Sequence, residues 1–503
     1  MGVALKRSAF SPNIRERMDH SCAVLDAKGR IVAQAEHIPV HLGSFRVGAQ
    51  NALRWLGERG VELEPGDMVA LNDPYIAGTH LNDVMLLAPV YVKGNLIGYV
   101  VNKAHHVDVG GPVPGSINPS ARSVYEEGFL LPPVKVVRRG KVEEDLARVF
   151  AENSKTPSTA VGDLHAQIAA NVVGARRVEE LAQRFGLEAL LSGWERAIEY
   201  GRLMTLSELR ELEGKEASAE DYLELPSGDV RIAARVRVEG GVMVDFAGTS
   251  PQLPYPINAV FGVTFAATAF AVRTLMEEDV PTNEGFYSVL EVRAPEGSLL
   301  NPRKPAPVSG GNVETSQRVA DVVLRALAEI APERVPAAGS GTMMNVMLGG
   351  EWERGYWAYY ETVGGGTGGR PGKRGVSGVH VNMTNTLNTP IEMAERSYPL
   401  LFTAYKLREG SGGRGKFPGG DGIVRAFRLL RPARLSLMAE RFRRGPYGLW
   451  GGEPGREGRA TIRRRSGEAQ LMPSKFSIEL EAGDEVILET PGGGGWGGMG
   501  EQG

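Results

Sequence analysis

The sequence is most informative first in what it lacks. Of its 503 residues only one, Cys22, is a cysteine. That excludes an internal disulfide and any cysteine-rich zinc site. Cys22 lies in an apolar run and reads as a buried, inert thiol, which fits a reducing, cytoplasmic setting. Charge of one sign is not in surplus either: 57 Lys and Arg stand against 60 Asp and Glu, a net of -3. Nothing here is a basic footprint for nucleic acid. No apolar run is long enough to span a bilayer. The opening MGVALKRSAF has no apolar core of the kind a signal peptide needs. A phosphate loop is missing as well. Gly372-Lys373 resembles the end of one, but Thr367 stands where the first glycine belongs and Arg374 where Ser or Thr belongs. Gly410-Ser411-Gly412-Gly413-Arg414-Gly415 has dinucleotide-motif spacing, yet Lys416-Phe417-Pro418-Gly419 cannot open the required helix. There is no G-x-S-x-G elbow. Neither a nucleotide site nor a covalent nucleophile can be read from the chain.

What is abundant is glycine, 66 residues, clustered in loops and pointing to close backbone approaches. The length exceeds one hydrophobic core. The expected architecture is an α+β, multi-domain mixed fold with a β-rich, glycine-rich C-terminal part. The expected divisions are 1–215, 216–340 and 341–503. Residues 20–35 read as two strands around Asp26-Ala27-Lys28-Gly29. Ser44 reads as the N-cap of a helix ending by Gly60, and Asp163 as the N-cap of one ending at Gly186. A helix over about 188–212 follows, then a charged linker from Glu211 to Asp221, then a hairpin about Gly240-Gly241. Ser309-Gly310-Gly311-Asn312 precedes a helix capped by Thr315 or Ser316, whose N–H groups could hold an anion.

The chemistry is concentrated between Leu71 and Gly111. Two apolar β-runs joined by Lys93-Gly94-Asn95 form a hairpin, which brings its two ends together. His80 and Asp83 precede it; His105, His106 and Asp108 end it. Five of the chain's eight histidines (His37, His41, His80, His105 and His106) lie between positions 37 and 106. His80, Asp83 and His105 are the expected ligands of a divalent metal such as Mn, Fe or Zn, which takes imidazole nitrogen and carboxylate oxygen. His106 points to the other strand face if His105 points inward, so it and Asp108 are supporting or general-base candidates. The irregular segment 111–133 reads as a lid or wall, with Ser123, Tyr125, Glu126 and Glu127 as wall candidates.

Segments spread along nearly the whole chain, among them SPNIRERMDHSCAVLD, AQAEHIPVHLGS, LNDPYIAGTHLNDV, NKAHHVDVGG, PGSINPSARSVYEEG, NPRKPAPVSGGNVETSQRVADV and ETPGGGGWG, resemble the hydantoinase B/oxoprolinase family. The resemblance implies the B subunit of an ATP-dependent amidohydrolase that opens cyclic amides of hydantoin, N-methylhydantoin or 5-oxoproline type. ATP and Mg would sit on a separate hydantoinase A-type partner, making a hetero-oligomer. It also implies a metal on His80, Asp83 and His105. The same resemblance includes the alpha subunits of acetone and acetophenone carboxylases, so ATP-dependent carboxylation is the alternative. A non-catalytic scaffold for the A subunit is the other.

Overall fold

The structure, a computed structural model, describes residues 1–35, 37–353 and 355–499. It is a mixed, multi-domain α+β fold in which the described residues form four separate sheets. The first sheet carries the site. Its strands are β1 (His20–Asp26), β2 (Ile31–Gln34), β3 (Met68–Leu71), β4 (Asp83–Val92), β5 (Asn95–His105), β6 (Val134–Arg138) and β7 (Lys141–Val142). They lie in the order β2-β1-β5-β4-β3-β6-β7, antiparallel throughout.

The central hairpin is β4–β5. Lys93 (φ 52°) and Gly94 (φ 80°) both take left-handed backbone, as a two-residue turn matched to strand twist requires. Nearly every residue of both strands is buried, because a helix covers each face. On one face, the long helix Pro157–Phe185 sends side-chain amides into the sheet. Gln167 Nε2 donates to the Val84 carbonyl at 2.8 Å, and Asn171 Nδ2 to that of Leu86 at 3.2 Å. On the other face lies the helix Pro39–Gly57, whose Ser44 receives the buried Lys103 Nζ at 2.7 Å. That helix begins at Pro39 and not at Ser44. A proline at the first helical position gives up an N–H that has no partner there anyway. The earlier start puts His41 on the helix.

Two further expectations are corrected. Asp163 lies inside its helix, which begins at Pro157; its Oδ1 instead accepts from the Phe10 and Ser11 N–H groups at 2.8 and 3.0 Å. The carboxylate thus ties the N-terminal segment to the long helix. The charged stretch from Glu211 to Asp221 is no linker: Glu216–Leu225 is a strand, paired antiparallel with Gly228–Val238. At its start exposed Glu216, Ser218 and Glu220 alternate with half-buried Ala217 and Ala219, so a two-residue period was there to be read.

One apolar core joins the first sheet to the middle of the chain, where helices Phe261–Arg273 and Ser316–Ile330 pack. A second lies within residues 344–488. Around it the glycine-rich loops stack backbone on backbone: Gly369 N–H donates to the Gly494 carbonyl at 2.9 Å and Gly413 N–H to that of Gly493 at 2.8 Å. A Cβ on Gly493 would sit 2.0 Å from the Thr367 carbonyl oxygen. Gly493→Ala is therefore expected to lose about 3 kcal/mol or more, read as a lower denaturant midpoint or as loss of soluble protein.

Candidate metal centre

The hairpin does what its sequence promised: the register pairs Asp83 with His105. His80, three residues before Asp83, turns back over it. His80 Nε2 lies 3.1 Å from Asp83 Oδ1 and 3.2 Å from His105 Nδ1, and His105 Nδ1 lies 3.4 Å from Asp83 Oδ1. All three side chains are buried. Two residues that sequence reasoning left out complete the group. His41 brings Nε2 to 3.3 Å from Asp83 Oδ1. Asp19 stands one residue before β1, where its carbonyl accepts the His105 N–H; its carboxylate oxygens are 3.9 Å from His105 Nδ1 and 4.0 Å from His41 Nε2. The missed signals were Pro39, which starts the helix early enough to carry His41, and the β1–β5 pairing, which no local pattern announces.

Each imidazole is held from behind. His80 Nδ1–H donates to the Ser309 carbonyl at 3.3 Å, leaving Nε2 as a lone pair. His41 Nδ1 meets Ser21 Oγ at 3.3 Å. Tyr360 stacks flat on His105, centroids 4.3 Å apart at 7°. Its hydroxyl donates to Asn345 Oδ1 at 3.0 Å, and Asn345 Nδ2 in turn donates to Glu314 Oε1 at 2.7 Å. Glu127, a wall candidate, is buried and accepts from Val308 and Ser309 N–H at 2.8 to 3.0 Å. The N–H groups of Val308 and Ser309, where Ser309-Gly310-Gly311-Asn312 begins, are thus taken by the chain's own Glu127 carboxyl. Burial pushes Glu127 up to about 7.

The donor set asks for positive charge. Burial alone would raise the Asp83 carboxyl, but the facing His80 and His41 and the hydrogen bonds from His105 and His41 hold it well below the usual carboxylate range. Burial alone would lower His80, and Asp83 overrides it, so His80 is raised; His105 is lowered by burial. A lone pair on His80 Nε2 cannot rest 3.1 Å from a carboxylate oxygen without a proton or a cation between them. Spacings of 3.1 to 3.4 Å also match the edges of a coordination shell with bonds of about 2.1 Å, roughly 3.0 Å octahedral and 3.4 Å tetrahedral. Beside the group is a cavity of about 20 Å³ walled by Asp19, His41, Asp83, His105 and Asn312, among others, room for about one water-sized species. His80, Asp83 and His105 could hold a metal ion, and His41 adjoins them through Asp83.

His106 and Asp108 are not in this group. His106 Nε2 meets Gln167 Oε1 at 2.9 Å beneath the long helix, with Phe150 edge-on to its ring. Asp108 caps the following loop, accepting from the N–H groups of Gly110 at 2.9 Å, Gly115 at 3.1 Å and Lys155 at 2.9 Å. Neither lines the small cavity. Of the other wall candidates, Tyr125 is exposed, and Ser123 Oγ accepts from the Tyr125 N–H.

The supporting Glu314 yields a pH prediction. Burial and the neighbouring Glu440 raise it to about 8. A carboxyl whose folded value exceeds its ordinary one contributes stability at low pH that is lost as pH rises through the folded value. Glu314→Gln should melt like wild type near pH 4, below the ordinary carboxyl value, and several degrees higher at about pH 9, by calorimetry.

Comparison with known proteins identifies the family. The family model described as hydantoinase B/oxoprolinase matches residues 1–499. An uncharacterized protein of Methanocaldococcus jannaschii is 46% identical over 99% of this chain and 87% of its own length. 5-oxoprolinase 1 of Arabidopsis thaliana is 35% identical over 99% of this chain, which spans only 40% of that protein. Among solved structures, the ATP-dependent caprolactamase of Pseudomonas jessenii superposes with a TM-score of 0.90 at 29% identity, covering 99% of this chain and 88% of that one. On the match along nearly its whole length, the chain belongs to the hydantoinase B/oxoprolinase family.

Proposed function

We propose that this chain is the B-type subunit of an ATP-dependent amidohydrolase that opens small cyclic amides. The carrying observation is the buried group of His41, His80, Asp83 and His105, set about a cavity that admits one water-sized species. Family membership and the likeness to a caprolactamase support the amide as substrate class. The chain spans two-fifths of a 5-oxoprolinase; an A-type partner binding ATP and Mg would supply the remainder, in a cytoplasmic hetero-oligomer.

A divalent ion such as Mn, Zn or Fe on these residues would polarise a carbonyl and acidify a water. The protein's own groups do the rest. The lone pairs of His41 Nε2, His80 Nε2 and His105 Nδ1 and the charge on Asp83 hold the ion, and their backing hydrogen bonds set which nitrogen is bare. Asp19, on the cavity wall, accepts the proton of the attacking water. A C–O bond forms at the amide carbon, the C–N bond breaks, and the ring nitrogen leaves with a proton. ATP on the partner would phosphorylate the amide oxygen beforehand and so activate a poor electrophile; the acyl phosphate left when the C–N bond breaks is then cleaved by a second water to carboxylate and inorganic phosphate. His106 and Asp108 hold the strand end in place.

The test is ATP turnover by the chain co-purified with an A-type partner, stimulated by hydantoin, 5-oxoproline or caprolactam. Stimulation with ring-opened product, absent in Asp19→Asn, is expected. Turnover that instead requires bicarbonate and yields a carboxylated product would replace this reading with carboxylation. Wild-type activity in His80→Ala would overturn it.

A further inference from the structure

Next to the small cavity lies a larger one of about 490 Å³, separated from it by a single layer of chain. Two segments make the partition. From His37 to His41, His37 and Pro39 line the large cavity, while Ile38, Val40 and His41 line the small one. From 381 to 386, Val381, Asn382 and Asn385 line the large cavity, Met383 and Thr386 the small one, and Thr384 both. The donors and the large chamber are therefore back to back on the same two stretches of backbone.

The chamber has the makings of a ligand site. Its volume falls within the roughly 300–1,000 Å³ typical of small-molecule pockets. Much of its wall is apolar, with Leu42, Ala266, Ala269, Phe270 and Phe286. Among the described residues no carboxylate lines it, and its one cation, Arg273, reaches Asp279 at 3.7 Å. Its polar lining includes Gln34, His37, His380, Asn382, Thr384 and Asn385. Burial pushes His380 down to about 3 and lowers His37, so both imidazoles are neutral and can donate or accept.

We infer that this chamber seats an uncharged cyclic amide, its ring against the Ala269–Phe270 wall and its amide edge against His37 and His380, with Thr384 at the partition toward the donor cluster. The match is chemical: an apolar ring suits the wall, and an N–H and a C=O suit the neutral imidazoles, amides and hydroxyl of the polar lining. The inference rests on the amide-processing reading above and adds where substrate waits and which side chains select its size.

Binding can be read without turnover. Ligand-observed NMR on the full chain, without ATP, would use 2-pyrrolidinone and hydantoin as probes. Saturable binding to wild type is expected, retained in Asp83→Asn and at least tenfold weaker in Ala269→Phe, whose ring fills the chamber. Phe270→Ala, which removes wall without adding bulk, should also weaken binding and serves if Ala269→Phe does not fold. No saturable binding to wild type, or undiminished binding in the chamber variants, would overturn the inference. Binding lost in Ala269→Phe but kept by an inactive Asp83→Asn separates this chamber from the donor cluster. An active Asp83→Asn would sink the metal reading and leave the chamber standing.

Discussion

Asp83→Asn is expected to strip the protein of its metal. Purified wild type should carry close to one equivalent of a divalent ion by elemental analysis, and the variant less than about a tenth of that. The reason lies in the charge balance. Among the described residues, Asp83 is the one anion in direct contact with all three imidazoles, at 3.1, 3.3 and 3.4 Å. Asparagine keeps the shape and one oxygen but not the charge, so three neutral nitrogens would face a dication in a buried site with Asp19 alone, at the edge, to offset it. Turnover with an A-type partner should fall on the order of a thousandfold or more, because carbonyl polarisation and water activation are lost together. His41→Ala should be milder, weakening metal affinity roughly 10–100-fold, as loss of a peripheral donor or its support does. Full metal content in Asp83→Asn would show that the cluster is a buried hydrogen-bonded network and nothing more.

Arg425→Met should be the most destabilising single change in the C-terminal part, costing about 3–5 kcal/mol. Arg425 and Glu361 form a two-pronged pair: Nε to Oε2 at 2.7 Å and Nη2 to Oε1 at 3.2 Å, with side chains only 1% and 2% exposed. Burial opposes the charge on Arg425, and Glu361 overrides it. The Thr389 N–H also donates to Glu361 at 2.7 Å, the Tyr359 hydroxyl donates to it too, and Arg425 Nη2 donates to the Thr389 carbonyl at 3.0 Å. Phe402 and Tyr405 sandwich the guanidinium at 4.4 and 4.5 Å. Removing the cation strands a buried carboxylate with partners suited only to its charged form. The double variant Arg425→Met/Glu361→Gln should recover about half of the loss. Guanidinium denaturation of the four proteins of this cycle measures the coupling. An additive double variant would mean that the pair is no more than the sum of its contacts.

The partition between sequence and tertiary structure follows the range of the interactions. Local patterns announced the β4–β5 hairpin, since turn residues stand between two apolar runs, and so the convergence of its two ends. The exact register was not local: the turn alone would set Asp83 opposite Ala104, and the irregularity between Val90 and Tyr91 moves it opposite His105. The end of the long helix at Gly186 and the hairpin around Gly240-Gly241 were, by contrast, local. The glycine abundance signalled close backbone approach, though not which loops would touch.

What the chain could not announce is long-range. Asp19 joins the group because β1 pairs with β5 across some eighty residues, and a strand's partner is written in no window of sequence. His41 was visible as a histidine; its role depended on a helix that starts at Pro39 and lies across the sheet. Asp163 was read as a cap because carboxylates favour helix starts; in the fold it captures the N–H groups of Phe10 and Ser11, some 150 residues away in sequence. The Tyr360 stack on His105 and the chamber behind the His37–His41 segment likewise bring distant thirds of the chain together. Sequence alone determined the chemical identity of three donors and the ribbon that joins them. Tertiary packing decided the approach of His41, the neighbouring carboxylate and the cavities around them, because burial and long-range pairing exist only once separate elements have docked.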